Sequence, residues 1–217
     1  MSTPNKVELL GHYGGDYTHA QSGWCSTNRE MTPDRVSRIP AFLHKLATGS
    51  GGQPHGSPYE KSMLHFFVEA EVASHIHLLK HRIGVSVNAE SARYQELFKH
   101  EDDRFYLPPD WPDDARAILA KHSILAFERY HELIALLVDG GMTRKRAKES
   151  ARFILPYNTI LRTDVSFNFR SFVHFLALRR KGGAQDEIHW IADQMVKLVR
   201  DIPSRPFQHS LAAWGIE

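Results

Sequence analysis

The segment MLHFFVEAEV, beginning at Met63, alternates Leu64, Phe66, Val68 and Ala70 with His65, Phe67, Glu69 and Glu71. That two-residue period predicts a half-buried strand. KVELLGHY, residues 6–13, reads as another short strand, and 15–31 as a polar, glycine-containing loop. Helical spacing follows in TPDRVSRIPAFLHKLATG: Thr32 is placed to cap, Pro33 to open the first turn, and Val36, Ile39, Leu43 and Leu46 to form an apolar stripe that Pro40 kinks or splits. GSGGQPHGSP, 49–58, is a flexible loop. ASHIHLLKHR reads as a helix ending at Gly84, which puts Lys80, His81 and Arg82 on its last turn. At about 100° per residue those three side chains fan outward and cannot share one face.

Downstream, a long amphipathic helix is predicted from Asp113 to Asp139, with Ile118, Leu125, Leu133 and Leu137 inward and Gly140-Gly141 as its stop. Thr143 caps the next helix, which Pro156 closes. NFRSFVHFLALRRKGG is a helix running into a glycine turn, and AQDEIHWIADQMVKLVRDIP another, striped by Ile188, Ile191, Met195 and Leu198. Together these elements predict an α+β, helix-rich single domain over residues 1–217 with a small sheet.

Composition narrows the functional classes. With 217 residues, 42% hydrophobic, the chain has enough apolar surface for a real core. It has no run of about 18 apolar residues, and its first fifteen residues lack the layout of a signal peptide, so a cytoplasmic protein off the membrane is expected. The single cysteine, Cys25, fits a reducing compartment and lacks the electropositive setting of a reactive thiol. A net charge of +2 gives no global field for nucleic acid, so any anion site is local.

One such site is suggested by KHRIGVSVNAESARY, residues 80–94. Lys80, Arg82, Ser91 and Arg93 have the chemistry of a phosphate pocket. The same cations also suit a helix C-terminus, and periodicity does not separate the two readings. His55 sits in a Gly/Pro loop, where it reads as a turn residue. His77 and His81 have the i,i+4 spacing of paired metal ligands, but no Glu lies between them as in zinc proteases, and no metal is expected. Ser91 has no local base to activate it as a nucleophile. The residues alone leave open a phosphate-binding site, on an enzyme or on a non-catalytic module, and a histidine-based metal hydrolase.

Taken in order, these segments resemble the flavin-dependent thymidylate synthases. That family's signature is Arg-His-Arg, seven residues, Ser, then Arg-Tyr shortly after. Here KHR is followed by the eight residues IGVSVNAE, then Ser91, Ala92, Arg93 and Tyr94. HGSPYEK is similar to the family's His-x-Thr-Pro-Phe-Glu-His segment, ARFILPYN to its Ala-Arg-x-x-Leu-Pro segment, and NFRSFVHFLALRRKGGAQDEI to a third run ending Ala-Gln-x-Glu-Ile. The likeness spans about residues 50–200, and departs from the pattern at Lys80 (Arg in the family), His77 (Gln), His174 (Asn) and Gly183 (His).

The resemblance implies a helix-rich fold with a mainly antiparallel sheet. It implies FAD held without a Gly-x-Gly-x-x-Gly motif, which this chain lacks. Ser26, His55, Ser57, Glu60, Lys80, His81, Arg82, Asn168, Arg170 and His174 would line the flavin. His77, Lys80, Glu90, Ser91, Ala92, Arg93, Arg152 and Arg179 would surround dUMP, with Arg179 as the catalytic group that favours ionisation of the pyrimidine at N3. It further implies NADPH as reductant, methylenetetrahydrofolate as carbon donor, and a homotetramer with shared sites in which the KHR and Arg179 segments meet across subunits.

Overall fold

Four strands form one small antiparallel sheet: β1 (Lys6–Tyr13), β2 (Met63–Glu71), β3 (Val85–Ala89) and β4 (Ile160–Phe167), in the order β1-β2-β4-β3. The alternation in β2 holds, since Leu64, Phe66 and Val68 are fully buried and Ala70 nearly so. The computed structural model describes residues 4–91, 93–94, 96–97 and 104–216. About half the chain is helical, 52%. Among the described residues no helix is long and apolar enough to cross a membrane.

Two compact units are present. One comprises Met1–Lys6, Val68–Leu79 and Asn88–Thr163; the other comprises Val7–Phe67, Lys80–Val87 and Asp164–Glu217. In the first, α4 (Val72–Leu79) follows β2, and α5 (Asp113–Asp139) packs on α6 (Arg144–Ala151). Thr143 caps α6 by accepting the Arg146 N–H. α6 stops at Ala151 and a 3-10 turn, Arg152–Ile154, fills the gap to Pro156, so the helix is shorter than its sequence predicts. The ends of α5 match the prediction but its inner face does not. Ser123, Ala126, Phe127, Tyr130 and Ile134 are buried, while Ile118 is 72% exposed and Leu125 46%. Tyr130 and Ile134 form the core with Leu97, Ala147 and Ala151, and Leu133 and Leu137 pack against its edge.

The second unit is aromatic inside. Phe66, Phe167, Phe169, Phe172, Phe175 and Phe207 are all buried to within about 1%, and each Phe removed from water contributes roughly 1.5–3 kcal/mol. α7 (Phe169–Arg179) supplies three of them, and α8 (Asp186–Arg200) buries Ile188, Ile191 and Met195 of its predicted stripe, with Val199 buried in place of the half-buried Leu198. α2 (Pro33–Ser37) and α3 (Ile39–Thr48) are the two halves into which Pro40 splits the predicted helix, with Thr32 as the cap of the first.

The largest departure is α1 (Asp16–Trp24), where a polar loop is predicted. Its inward residues are Asp16, His19 and Ala20, so no apolar stripe marks it. Polar bonds hold it instead. Asp16 accepts the backbone N–H groups of His209 and Ser210, each at 2.8 Å, from the start of α9 (Gln208–Ala213).

Candidate active site

The Lys80-His81-Arg82 triplet is not helical. α4 ends at Leu79, and the triplet forms the turn that leads into β3. Freed from helical geometry, the three side chains converge after all. They line one cavity of about 230 Å³ together with Ile83 and Val85 and with Ser171, His174, Leu178 and Arg179 of α7. Residues 171, 174, 178 and 179 are i, i+3, i+7 and i+8, a single helical face.

A latch sets this turn against α7. Asn168 caps the helix by accepting the Ser171 N–H at 2.8 Å, and its own N–H donates to the Gly84 carbonyl at 2.9 Å. Ser171 Oγ donates to the Ile83 carbonyl at 2.7 Å. Gly84 has φ +65°, and a Cβ there would drive into the Asn168 amide and the Ser171 hydroxyl. Gly84→Ala is therefore expected to displace the turn. Flavin titration should show at least about tenfold weaker binding, the equivalent of ~1.4 kcal/mol. Wild-type affinity in a folded Gly84→Ala protein would refute the latch.

Inside the cavity His81 is buried, and its Nε2 accepts a hydrogen bond from Arg179 Nε at 3.2 Å. The His81 ring lies edge-on to Phe175 at 5.1 Å and to His174 at 5.9 Å. Burial lowers the Arg179 pKa from the ordinary arginine value. Lys80 and Arg82 are exposed and form no ion pair among the described residues.

The other residues expected on the flavin form a second group in the same unit. Glu60 pairs with Arg170 at 2.7 Å, and Arg170 lies over Gly56, between exposed His55 and Ser57. As a half-exposed ion pair this contact contributes about 0–1 kcal/mol. Ser26 lies on the exposed turn after α1, its hydroxyl donating locally to the Gly23 carbonyl.

The expected nucleotide residues gather in the first unit, apart from Lys80 and Arg179. Glu90 accepts from Arg104 Nη1 at 2.9 and 3.2 Å, a nearly buried pair. Ser91 Oγ accepts the Arg93 N–H at 3.3 Å, a local turn, and Arg93 Nε donates to Glu149 of α6 at 2.7 Å. That hydrogen bond holds the Glu149 carboxyl below the ordinary carboxylate range and raises Arg93 above its own. Arg152 is exposed on the 3-10 turn, beside Phe153 at 83% exposure. His77 is half-buried on α4, and Ala92 lies outside the described residues.

Sequence reasoning missed Arg104, which pins Glu90 from fourteen residues away with no motif around it. It also missed the latch, whose one visible sign was an isolated glycine between two elements. Within one chain, Arg82 and Arg179 line the same cavity.

The family model described as thymidylate synthase complementing protein matches residues 8–203. A flavin-dependent thymidylate synthase of Pseudothermotoga lettingae is 30% identical, over 90% of this chain and 85% of its own length. One from Nitratidesulfovibrio vulgaris is 35% identical over 72% and 63%. The chain belongs to the flavin-dependent thymidylate synthase family. The fold agrees: a crystal structure of the UMP/dUMP methylase PolB from Streptomyces cacaoi bound with 5-Br dUMP superposes with a TM-score of 0.77 at 24% identity, covering 99% of this chain and 96% of that one.

Family membership makes this an enzyme of flavin-dependent thymidylate synthesis and implies FAD. The cavity chemistry fits part of that group. Lys80, Arg82 and Arg179 bring three cations, His81 and His174 two imidazoles, and no carboxylate lines the cavity among the described residues. Such a donor set suits a diphosphate. At about 230 Å³ it is smaller than the roughly 300–1,000 Å³ of pockets that enclose a drug-sized ligand, so it accommodates one portion of the dinucleotide.

Proposed function

We propose that this chain converts dUMP, methylenetetrahydrofolate and NADPH into dTMP, tetrahydrofolate and NADP in the cytoplasm. The observation that carries the reading is the cation-lined cavity joining Lys80, His81 and Arg82 to Arg179, in a chain matched to the family over residues 8–203. When bound, FAD supplies the hydride that reduces the transferred carbon to a methyl group. The protein binds, orients and polarises. Lys80, Arg82, His174 and the Glu60–Arg170 pair with His55 and Ser57 hold the flavin. Arg152, Arg93, Ser91, Glu90, Ala92 and His77 hold the nucleotide, and Arg179 stabilises negative charge on its ring. Tritium release from dUMP labelled at C5 tests the whole reading: release that requires FAD, NADPH and the folate supports it, and a protein that neither binds FAD nor releases tritium contradicts it.

Ser91 acts here by binding alone. Ser91→Ala is expected to weaken dUMP binding by roughly 0.5–1.5 kcal/mol, the net value of one hydrogen bond, with turnover retained. A covalent Ser91–nucleotide adduct would overturn that role.

Three ligands exceed what one 230 Å³ cavity holds, and we take the active enzyme to be a homotetramer whose subunits share sites. Mixing Arg152→Ala with Arg179→Ala protein should then raise kcat/KM for dUMP above the mean of the two separate variants, through sites that draw an intact arginine from each chain. A mixture that stays at that mean after confirmed subunit exchange argues for self-contained sites.

A further inference from the structure

We propose that His81 is the positioning residue for Arg179, holding the guanidinium through a neutral imidazole whose Nε2 lone pair accepts the Arg179 Nε–H. The inference rests on the reading of Arg179 as the group that contacts the pyrimidine.

Arg179 is the last residue of α7, at the end of a side chain with about 2 kcal/mol of rotamer entropy to lose. Its Nε–H donates to His81 Nε2 at 3.2 Å. His81 is able to serve as a fixed point because it is buried, its ring is set against Phe175, and its turn is latched to α7 through Ile83 and Gly84. Accepting at Nε2 requires the tautomer protonated at Nδ1. An arginine held by its Nε–H keeps its two terminal amino groups, the fork that suits planar acceptors, outside this bond.

The arrangement has a built-in acid limit. A protonated imidazole has no lone pair to offer, and the attraction to Arg179 becomes repulsion. The groups facing His81 deepen this: Lys80 and Arg82 flank it in the chain, His174 and Arg179 face it from α7, and no carboxylate lines the cavity among the described residues. Protonation of His81 therefore breaks its hydrogen bond to Arg179.

Nitrogen NMR of the ligand-free protein tests the pairing directly. The expected spectrum shows His81 protonated at Nδ1 and bare at Nε2, with an Arg179 Nε–H signal that is slow to exchange at neutral pH and lost on acidification. In His81→Gln, whose amide oxygen accepts but does not titrate, that signal should persist at acid pH; in His81→Phe it should be absent throughout. Kinetics give the second arm. Wild-type kcat/KM for dUMP should fall about tenfold per pH unit on the acid side, His174→Asn should keep that limb, and His81→Gln should flatten it. A His81 protonated at Nε2, or an acid limb unchanged in His81→Gln, overturns the proposal. If the wild type makes no dTMP, the proposed function fails while the nitrogen spectra still decide the pairing.

Discussion

Arg179→Ala is expected to lower kcat for dTMP formation by about 10²–10³-fold, with a smaller loss of dUMP affinity. Charge develops on the pyrimidine ring as it accepts the one-carbon unit, so a cation aimed at the ring acts more strongly in the transition state than in the ground state. The magnitude is that of removing one preorganised donor from a developing anion, about 2.7–4 kcal/mol. Arg179 is half-buried in the cavity, and partial burial strengthens such an interaction relative to bulk water. Arg179→Lys keeps a charge but loses the planar Nε–H that meets His81, and should recover only part of the rate. Arg152 offers the contrast. It is exposed on a 3-10 turn, and Arg152→Ala should raise KM for dUMP with kcat little changed, the signature of uniform binding. Steady-state kinetics on both variants decide the matter: equal kcat losses for Arg152→Ala and Arg179→Ala would remove the distinction between a binding and a catalytic arginine.

What the sequence made legible follows from which surfaces are apolar. β2 is plain because Leu64, Phe66, Val68 and Ala70 are buried on one face while His65, Phe67 and Glu69 on the other are only half-buried. The ends of α5 are plain because Pro112 and Gly140-Gly141 bracket it, but its apolar residues lie on more than one side, so the inner seam through Ser123, Ala126, Tyr130 and Ile134 does not stand out. α1 was hidden by its polar inner face. β3 lies inside the stretch that looked most like a site, where the charges drew the reading away from the V-S-V-N-A alternation. The cations of the site were visible as residue types. Their convergence was not, because it depends on a turn latched to residues 168 and 171 from 83 and 84, a long-range contact that no local pattern encodes.

The same hidden helix carries the largest expected effect on stability, which is pH-dependent. His19 is completely buried, and both ring nitrogens are bonded: Nδ1 to Ser210 Oγ at 2.8 Å and Nε2 to Ser62 Oγ at 2.7 Å. Ser210 Oγ donates in turn to Asp16 Oδ1 at 2.6 Å, so Ser210 accepts from His19 and the imidazole carries its proton on Nδ1. The rings of Tyr59, Phe169 and Phe207 surround it at 5.1, 5.3 and 6.0 Å. Burial lowers the His19 pKa to about 3 from an ordinary 6.5. Between those values the unfolded chain binds a proton that the native chain does not, so stability falls as pH is lowered through the window from 6.5 toward 3. The slope is about 1.4 kcal/mol per pH unit, which amounts to roughly 2–3 kcal/mol at pH 4.5. His75, also buried and bonded to Thr163 Oγ1 at 2.9 Å, has its pKa lowered and adds in the same direction. Asp16 opposes both, because burial raises its carboxyl and the native state takes up that proton first, so its contribution grows as pH falls toward the ordinary aspartate range. Above the raised Asp16 pKa, where that carboxyl is ionised in both states, His19 dominates. Urea unfolding of the wild type between pH 7 and 4.5 should therefore show a steep loss. His19→Gln, whose amide can donate to Ser210 and accept from Ser62 without titrating, should be less stable at pH 7 yet show a distinctly flatter profile. An unchanged slope in His19→Gln would mean that some other group controls acid unfolding, and that the polar chain from Asp16 to Ser62 does not couple α1 to pH.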